Sequence, residues 1–294
     1  MRPVRVAAAF LLGLLTACAQ PGAAGVTGVG VADNPALSPA LEAWRDFPVD
    51  QRPRPIVLIG DPLVEPGYRT GEAKTAVGAG RLELAATQPE APPTVPVDLP
   101  DGHFDMPVLP AADAIDQIRR AGDPNAAVKP LRVTGVELGA AEFRTDRGRL
   151  HLPAWLLHAP DALGPLAWPA VDTSVLWPYK AVFGTPHSRM IAAGNGGALD
   201  ADGVTLTLRL PAPHAPCPGN PTERTVVELT ESSTAVEVEL RTEPGSPAAD
   251  SPRPDCATWG ALTLADYTIR LTAPLGNRVV VDPAGNPLPV SVGS

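Results

Sequence analysis

Three segments in the C-terminal half of the chain alternate apolar and polar residues with a period of two. In residues 204–210 every second residue is Val or Leu, and residues 236–241 and 267–272 repeat this pattern. Such alternation is typical of β-strands that bury one face, as in antiparallel sheets, whereas a helix places apolar residues three and four apart. We therefore predict a mainly β fold, an antiparallel β-sandwich or open barrel, with one or two short helices in the N-terminal part.

Further strand signals accompany these three segments. A polar turn with a glycine, residues 145–148, separates residues 133–142 from residues 149–158 and predicts a β-hairpin. Shorter apolar runs predict additional strands, and the last of them leads into an Asp-Pro-Ala-Gly turn: residues 56–59, 81–84, 225–230 and 278–281.

Two short helices are predicted before the β-rich region. In residues 38–45, Ser38 can cap the helix and Pro39 suits its first position. Residues 111–120 carry aspartates early and arginines late, and a glycine follows them. Between these helices, residues 88–100 are rich in proline, so we interpret them as an exposed connector.

The first 18 residues contain the pattern of a secretory signal. Arg2 and Arg5 precede the uncharged residues 6–14, which are too few to span a bilayer. Residues 15–18, Leu-Thr-Ala-Cys, resemble the lipobox of bacterial lipoproteins. The resemblance implies an acyl chain on Cys18 and a location on the extracytoplasmic face of the cell membrane. An ordinary secretory signal that contains Cys18 by chance is the alternative.

The chain then divides into four predicted parts. Residues 1–17 form the signal peptide, and the Gly- and Ala-rich residues 18–36 form a flexible tether. Residues 37–128 form a mixed N-terminal region with the Pro-rich connector, and residues 129–294 form the β-rich domain.

The charge of the chain bears on its partners. The net charge is −9 and the pI is about 5, which argues against nucleic acid because phosphate binding needs clustered Lys and Arg. An acidic chain gains nothing from anionic lipid headgroups, so we expect it to contact the membrane only through the lipid on Cys18. A protein or glycan of the envelope remains as the expected partner.

Cys217 and Cys256 are the other two cysteines. In an oxidising compartment we expect them to form a disulfide, worth roughly 4 kcal/mol for a loop of about 40 residues. Two free thiols or a metal pair is the alternative, although neither cysteine has a second Cys at ligand spacing and His214, three residues from Cys217, stands alone.

Several phrases of the chain resemble a group of lipid-anchored, secreted proteins that are common in actinobacteria and have no assigned function. These phrases are residues 47–55, 143–148, 152–155 and 275–282. The resemblance supports the predicted location and implies no chemistry.

Common catalytic and metal-binding patterns do not occur in the sequence. It contains neither Gly-x-Ser-x-Gly nor Ser-x-x-Lys, and Ser188 beside His187 is only a neighbour pair. The five histidines are scattered, and His151 and His158 should face opposite sides of a strand. Residues 200–203, Asp-Ala-Asp-Gly, resemble part of a calcium loop but are explained by a turn. We expect no cofactor and no metal.

Aromatic residues supply the candidate binding surface. Trp168, Trp177 and Tyr179 lie in a Pro-containing stretch where exposed rings could stack on sugars or on an apolar partner. The simpler alternative places them in the core. A charged hairpin tip, residues 144–149, could contact an anionic wall polymer, but we interpret it as a solvated turn.

Together these features favour a non-enzymatic surface lipoprotein that binds a protein or glycan component of the envelope. One alternative is an envelope hydrolase whose carboxylates or histidine meet only in three dimensions. The other is a spacer or scaffold without a ligand pocket.

Overall fold

A computed structural model describes residues 37–123, 125–179, 196–212, 224–243 and 263–292. The described part of the chain is mainly β, with three α-helices and one short 3-10 helix over Thr173–Val175. The helices are α1 Pro39–Glu42, α2 Gly71–Gly78 and α3 Ala111–Ala121. The strands are β1 Leu82–Leu84, β2 Thr94–Leu99, β3 Gly102–Pro107, β4 Leu131–Val133, β5 Gly135–Thr145, β6 Gly148–His158, β7 Leu166–Pro169, β8 Gly197–Leu199, β9 Thr205–Pro211, β10 Arg224–Glu231, β11 Ala235–Glu243, β12 Leu264–Arg270, β13 Val279–Val281 and β14 Val290–Val292.

The first core surrounds the antiparallel sheet β5-β6-β7. Leu152 and Ala154 of β6 pack against the β2-β3 hairpin on one face. Trp155 and Leu157 face the other side, where α2, α3 and the parallel pair β1-β4 cover the sheet. The Trp155 indole N–H donates to the Leu109 carbonyl at 2.7 Å, so this buried donor is satisfied. The alternation along β6 thus makes it the central layer of the first core.

The second core lies between two small sheets, one of strands β12-β9-β8-β14 and one of strands β10-β11-β13. The apolar residues of the three alternating segments point into it, including Leu206, Leu208, Val236, Val238 and Ile269. Their polar neighbours lie on the outer faces, as the period of two requires. The two sheets therefore form a β-sandwich.

The α1 region packs on the second sandwich. Ser38 caps α1 by accepting from the Leu41 N–H, and its hydroxyl donates to the buried Glu237 of β11. Trp44 is 1% exposed, and its indole N–H donates to the Gly285 carbonyl at 2.8 Å. Phe47 completes this contact beside β13. The N-terminal residues are therefore part of the packing of the C-terminal sheets.

The predicted fold class is confirmed, and so are the hairpin, the three alternating strands and both helices. Three strand pairs are parallel rather than antiparallel: β1 with β4, β11 with β13, and β8 with β14. The expected connector at residues 88–100 was wrong, because it contains β2. Residues 56–59 are extended and largely buried, but they form isolated bridges rather than a strand within a sheet.

The predicted boundary between residues 37–128 and 129–294 falls inside the first core, which packs residues from both sides. Cys18, Cys217 and Cys256 lie outside the described residues. Within the described ranges, no helix combines the length and the apolar character needed to cross a membrane.

Gly122 provides a test of how α3 ends against α2. A Cβ atom at Gly122 would lie 2.1 Å from the Ala79 carbonyl carbon and 2.2 Å from the Gly80 nitrogen, so the backbone would have to shift. We expect Gly122→Ala to lower the free energy of unfolding by about 1–3 kcal/mol. Urea denaturation of the purified chain measures this change.

Gly78, at the end of α2, is the matched control because nothing lies within 4 Å of its added Cβ. Gly78→Ala should leave stability unchanged or raise it by up to about 1 kcal/mol. Equal stability of the two variants would contradict the close approach of α2 and α3.

Candidate functional site

Two candidate sites lie along residues 54–60, which we call the central segment. The Ile56 N–H donates to the Val175 carbonyl and the Trp177 N–H donates to the Ile56 carbonyl, both at 2.9 Å. On the other side, the Ile59 N–H donates to the Arg144 carbonyl at 2.8 Å. The central segment therefore joins the end of β5 to the aromatic stretch near residue 177.

The first site is a cleft of about 820 Å³, which we call the aromatic cleft. Its volume and its mixture of apolar walls with few polar groups are typical of small-ligand sites. Asp61 and Thr173 supply the polar side chains, apart from the Trp177 indole N–H and the Tyr179 hydroxyl. The full lining is Leu58, Gly60, Asp61, Pro62, Ala121, Thr173, Leu176, Trp177, Pro178 and Tyr179.

A short 3-10 helix holds Thr173 at the edge of the cleft. Asp172 caps this helix, because its carboxylate accepts from the Ser174 N–H at 2.8 Å. Hydrogen bonds from Ser174 lower the pKa of Asp172 below its ordinary value. The cap is therefore charged at neutral pH and favours the turn that presents Thr173.

Trp177 and Tyr179 are half-buried side chains supported from behind by other aromatic rings. The Trp177 ring meets the Phe47 ring edge to face with centroids 5.2 Å apart, and the Tyr179 ring lies 5.9 Å from Trp44. Burial raises the pKa of Tyr179, although a hydrogen bond from the Gly60 N–H opposes this effect. At neutral pH the cleft therefore contains an uncharged phenol and an indole on a packed support.

Trp168 does not belong to this surface, which corrects one of the three candidate residues. It is 7% exposed within the first core, and its indole N–H donates to the Gln117 side chain at 3.3 Å. Its position on β7, which pairs with β6, turns the ring toward α3. Trp168 therefore has the core position that the simpler alternative predicted.

The second site is a group of four charged residues, Arg54, Asp101, Asp146 and Arg147, which we call the arginine–aspartate cluster. The Arg54 guanidinium is 1% exposed and pairs with Asp146. Arg147 pairs with Asp101 at 2.8 Å, and Asp101 also accepts from the Arg54 backbone N–H at 3.0 Å. Two positive and two negative groups thus neutralise each other at the contact between β5-β6, the β2-β3 turn and the second sandwich.

Hydrogen bonding within the cluster is incomplete. Burial would raise the pKa of Asp101, but hydrogen bonds from Arg54 and Arg147 outweigh it and lower that pKa below its ordinary value. In contrast, Asp146 Oδ1 and the Nε and Nη2 atoms of Arg147 are buried and have no hydrogen-bond partner in the described part of the chain. Each such group costs about 1–3 kcal/mol, more when it is charged. The cluster therefore contains unused hydrogen-bonding capacity.

The expected solvated hairpin tip was wrong for Asp146 and Arg147. The turn Thr145–Gly148 is closed by the Thr145 hydroxyl, which donates to the Gly148 carbonyl. However, the β2-β3 turn and the loop at residues 275–278 cover the two charged side chains. Only Arg149, whose side chain is 75% exposed, behaves as the sequence suggested.

The other candidate residues have local roles or lie outside the description. The Asp202 carboxylate accepts from the backbone N–H groups of Val204 and Thr205 and from the Thr205 hydroxyl, so it closes a turn, and these bonds lower its pKa to about 2. Within the described ranges, no group of three His, Cys, Asp or Glu side chains is placed to hold a metal. His187, Ser188 and His214 lie outside those ranges.

Comparison of the chain with protein-family models, with curated proteins and with solved structures finds no match.

The ion pair of Arg54 with Asp146 can be tested by removing one charge. Asp146→Asn leaves the buried Arg54 guanidinium without its counter-charge, which should lower the free energy of unfolding by about 3–5 kcal/mol. Asp98→Asn is the matched control, because the Asp98 side chain is 92% exposed beside His103. The control should change stability by less than about 0.5 kcal/mol. Similar losses in both variants, measured by urea denaturation, would contradict the role of the pair.

Proposed function

We propose that this chain is a lipid-anchored cell-envelope protein, attached through Cys18, that binds an envelope component without catalysing a reaction. The observation that carries the binding proposal is the aromatic cleft, where Trp177 and Tyr179 stand beside Asp61 and Thr173. The sequence of residues 1–18 supports the anchor.

The chemistry of the cleft favours a glycan as the bound component. Aromatic rings stack on the apolar faces of sugar rings, while a carboxylate and a hydroxyl can bind sugar hydroxyl groups. Since Phe47 and Trp44 support the two rings, little side-chain freedom is lost on binding. A protein segment with an apolar side chain is the second candidate from the same surface.

Pull-down of the chain with insoluble peptidoglycan and with purified wall polysaccharide tests this proposal. Trp177→Ala should weaken binding at least about tenfold, since a buried aromatic contact typically contributes more than about 1.4 kcal/mol. Leu163→Ala is the matched control, because Leu163 is an exposed apolar residue, 59% accessible, that does not line the cleft.

Binding that Trp177→Ala leaves unchanged would remove the cleft from the proposal. If neither glycan binds but an envelope protein crosslinks to the wild-type chain and not to Trp177→Ala, the second candidate replaces the first. Thermal unfolding of both variants checks that they remain folded.

The anchor is tested by Cys18→Ser. This variant should no longer be found in the membrane fraction and should no longer incorporate an alkyne-labelled palmitate, because the thiol that carries the acyl chain is absent. Cys217→Ser is the control and should keep both the label and the membrane association. A Cys18→Ser chain that still carries the label would contradict the proposed anchor.

A further inference from the structure

A cavity of about 210 Å³ lies beside the arginine–aspartate cluster and shares no lining residue with the aromatic cleft. The cluster forms one wall. The opposite wall comes from the second sandwich and is largely apolar, with Leu275, Val280, Val290 and Val292. Clefts for drug-sized ligands run from about 300 to 1,000 Å³, so this space suits a molecule of only a few heavy atoms.

The Arg147 guanidinium offers two donors for such a molecule. Its Nη1 atom donates to Asp101, while Nε and Nη2 on the other edge have no partner among the described residues. That edge presents two parallel N–H groups, the arrangement that binds a carboxylate through both oxygens. Both donors are covered in this structure, so they become available to a carboxylate once the Arg147 side chain turns toward the cavity.

Asp146 offers the complementary acceptor. Its Oδ2 atom accepts from Arg54, whereas Oδ1 has no partner among the described residues. The four charges of the cluster already cancel, and Arg278, which also lines the cavity, pairs with Glu231 at 2.7 Å. An added anion would therefore bring an uncompensated charge into a buried site. A molecule that carries both a carboxylate and an ammonium group adds no net charge and satisfies both orphaned groups.

We propose that this cavity binds a free α-amino acid with a small apolar side chain. Its carboxylate lies on the Nε–Nη2 edge of Arg147, its ammonium group donates to Asp146 Oδ1, and its side chain contacts the apolar wall. Because these donors and Asp146 Oδ1 are covered in this structure, binding requires the side chains of Arg147, 11% exposed, and Asp146, 2% exposed, to turn toward the cavity. This site goes beyond the proposed function and does not depend on the aromatic cleft.

Isothermal titration calorimetry of the full chain in detergent with L-alanine and L-valine tests the site. Saturable heat is expected for at least one of them. Alaninamide lacks the carboxylate and N-acetylalanine lacks the ammonium group, so each should bind at least about tenfold more weakly than L-alanine, because a buried polar group would lose its partner.

The Arg147→Lys variant distinguishes the contribution of the two-donor edge to amino-acid affinity from the contribution of the positive charge. The variant keeps one positive charge for Asp101 but cannot form two parallel hydrogen bonds, so amino-acid affinity should fall at least about tenfold. Arg149→Gln, on the same hairpin but outside the cavity, should bind as the wild type does. Thermal unfolding in the absence of amino acid checks that both variants fold.

Three results would overturn the proposal. These are no saturable heat with either amino acid on the wild-type chain, equal affinity for L-alanine and alaninamide, and unchanged affinity in Arg147→Lys. The first result would mean that the cavity holds water only. This test uses the wild-type chain, so its outcome does not depend on whether a variant folds.

Discussion

The buried guanidinium of Arg54 is the constraint on which the arrangement of this molecule depends. A charge that is 1% exposed is tolerated only where partners surround it. Those partners come from three parts of the chain: Asp146 from the β5-β6 turn, the Asn277 carbonyl from the second sandwich, and the Phe47 ring, whose centroid lies 4.6 Å away. The first core, the α1 region and the second sandwich must therefore meet at Arg54, because separating any of them would leave the charge poorly compensated.

The same constraint shapes the aromatic cleft. The central segment begins at Arg54 and continues past Ile56, whose backbone donates to the Val175 carbonyl and accepts from the Trp177 N–H. Phe47 contacts Arg54 on one side and Trp177 on the other. The Trp177 ring of the cleft thus packs against Phe47, which is itself held in place by the buried Arg54 guanidinium. Sites built on such packed elements lose less conformational freedom on binding than sites on free loops.

Local patterns predicted two of the three described α-helices and the longer alternating strands, but they missed α2 and several short strands, and they specified no pairing beyond the β5-β6 hairpin. The alternation in β9, β11 and β12 depends only on neighbouring residues, and it predicted these strands correctly. β2 was missed because the prolines of residues 88–100 suggested a loop. Pro96 nevertheless lies within β2, paired with Asp105, because an edge strand tolerates proline where no ladder hydrogen bond needs its N–H. The parallel pair of β11 with β13 joins residues more than 40 positions apart, and no local signal specifies that choice. The burial of Asp146 and Arg147 was missed for the same reason, because distant loops cover an otherwise polar turn.

The geometry of the cluster bears on the rival prediction of an envelope hydrolase. Asp101 and Asp146 line one cavity, as a pair of catalytic acids would. A glycoside hydrolase, however, needs one carboxyl group whose pKa is raised so that it holds a proton at neutral pH. Asp101 has the opposite environment, because hydrogen bonds from Arg54 and Arg147 to its two oxygens lower its pKa. Asp146 is bound to Arg54 by the same kind of charged contact. Asp101 therefore does not provide the proton-holding carboxyl group that such a mechanism needs.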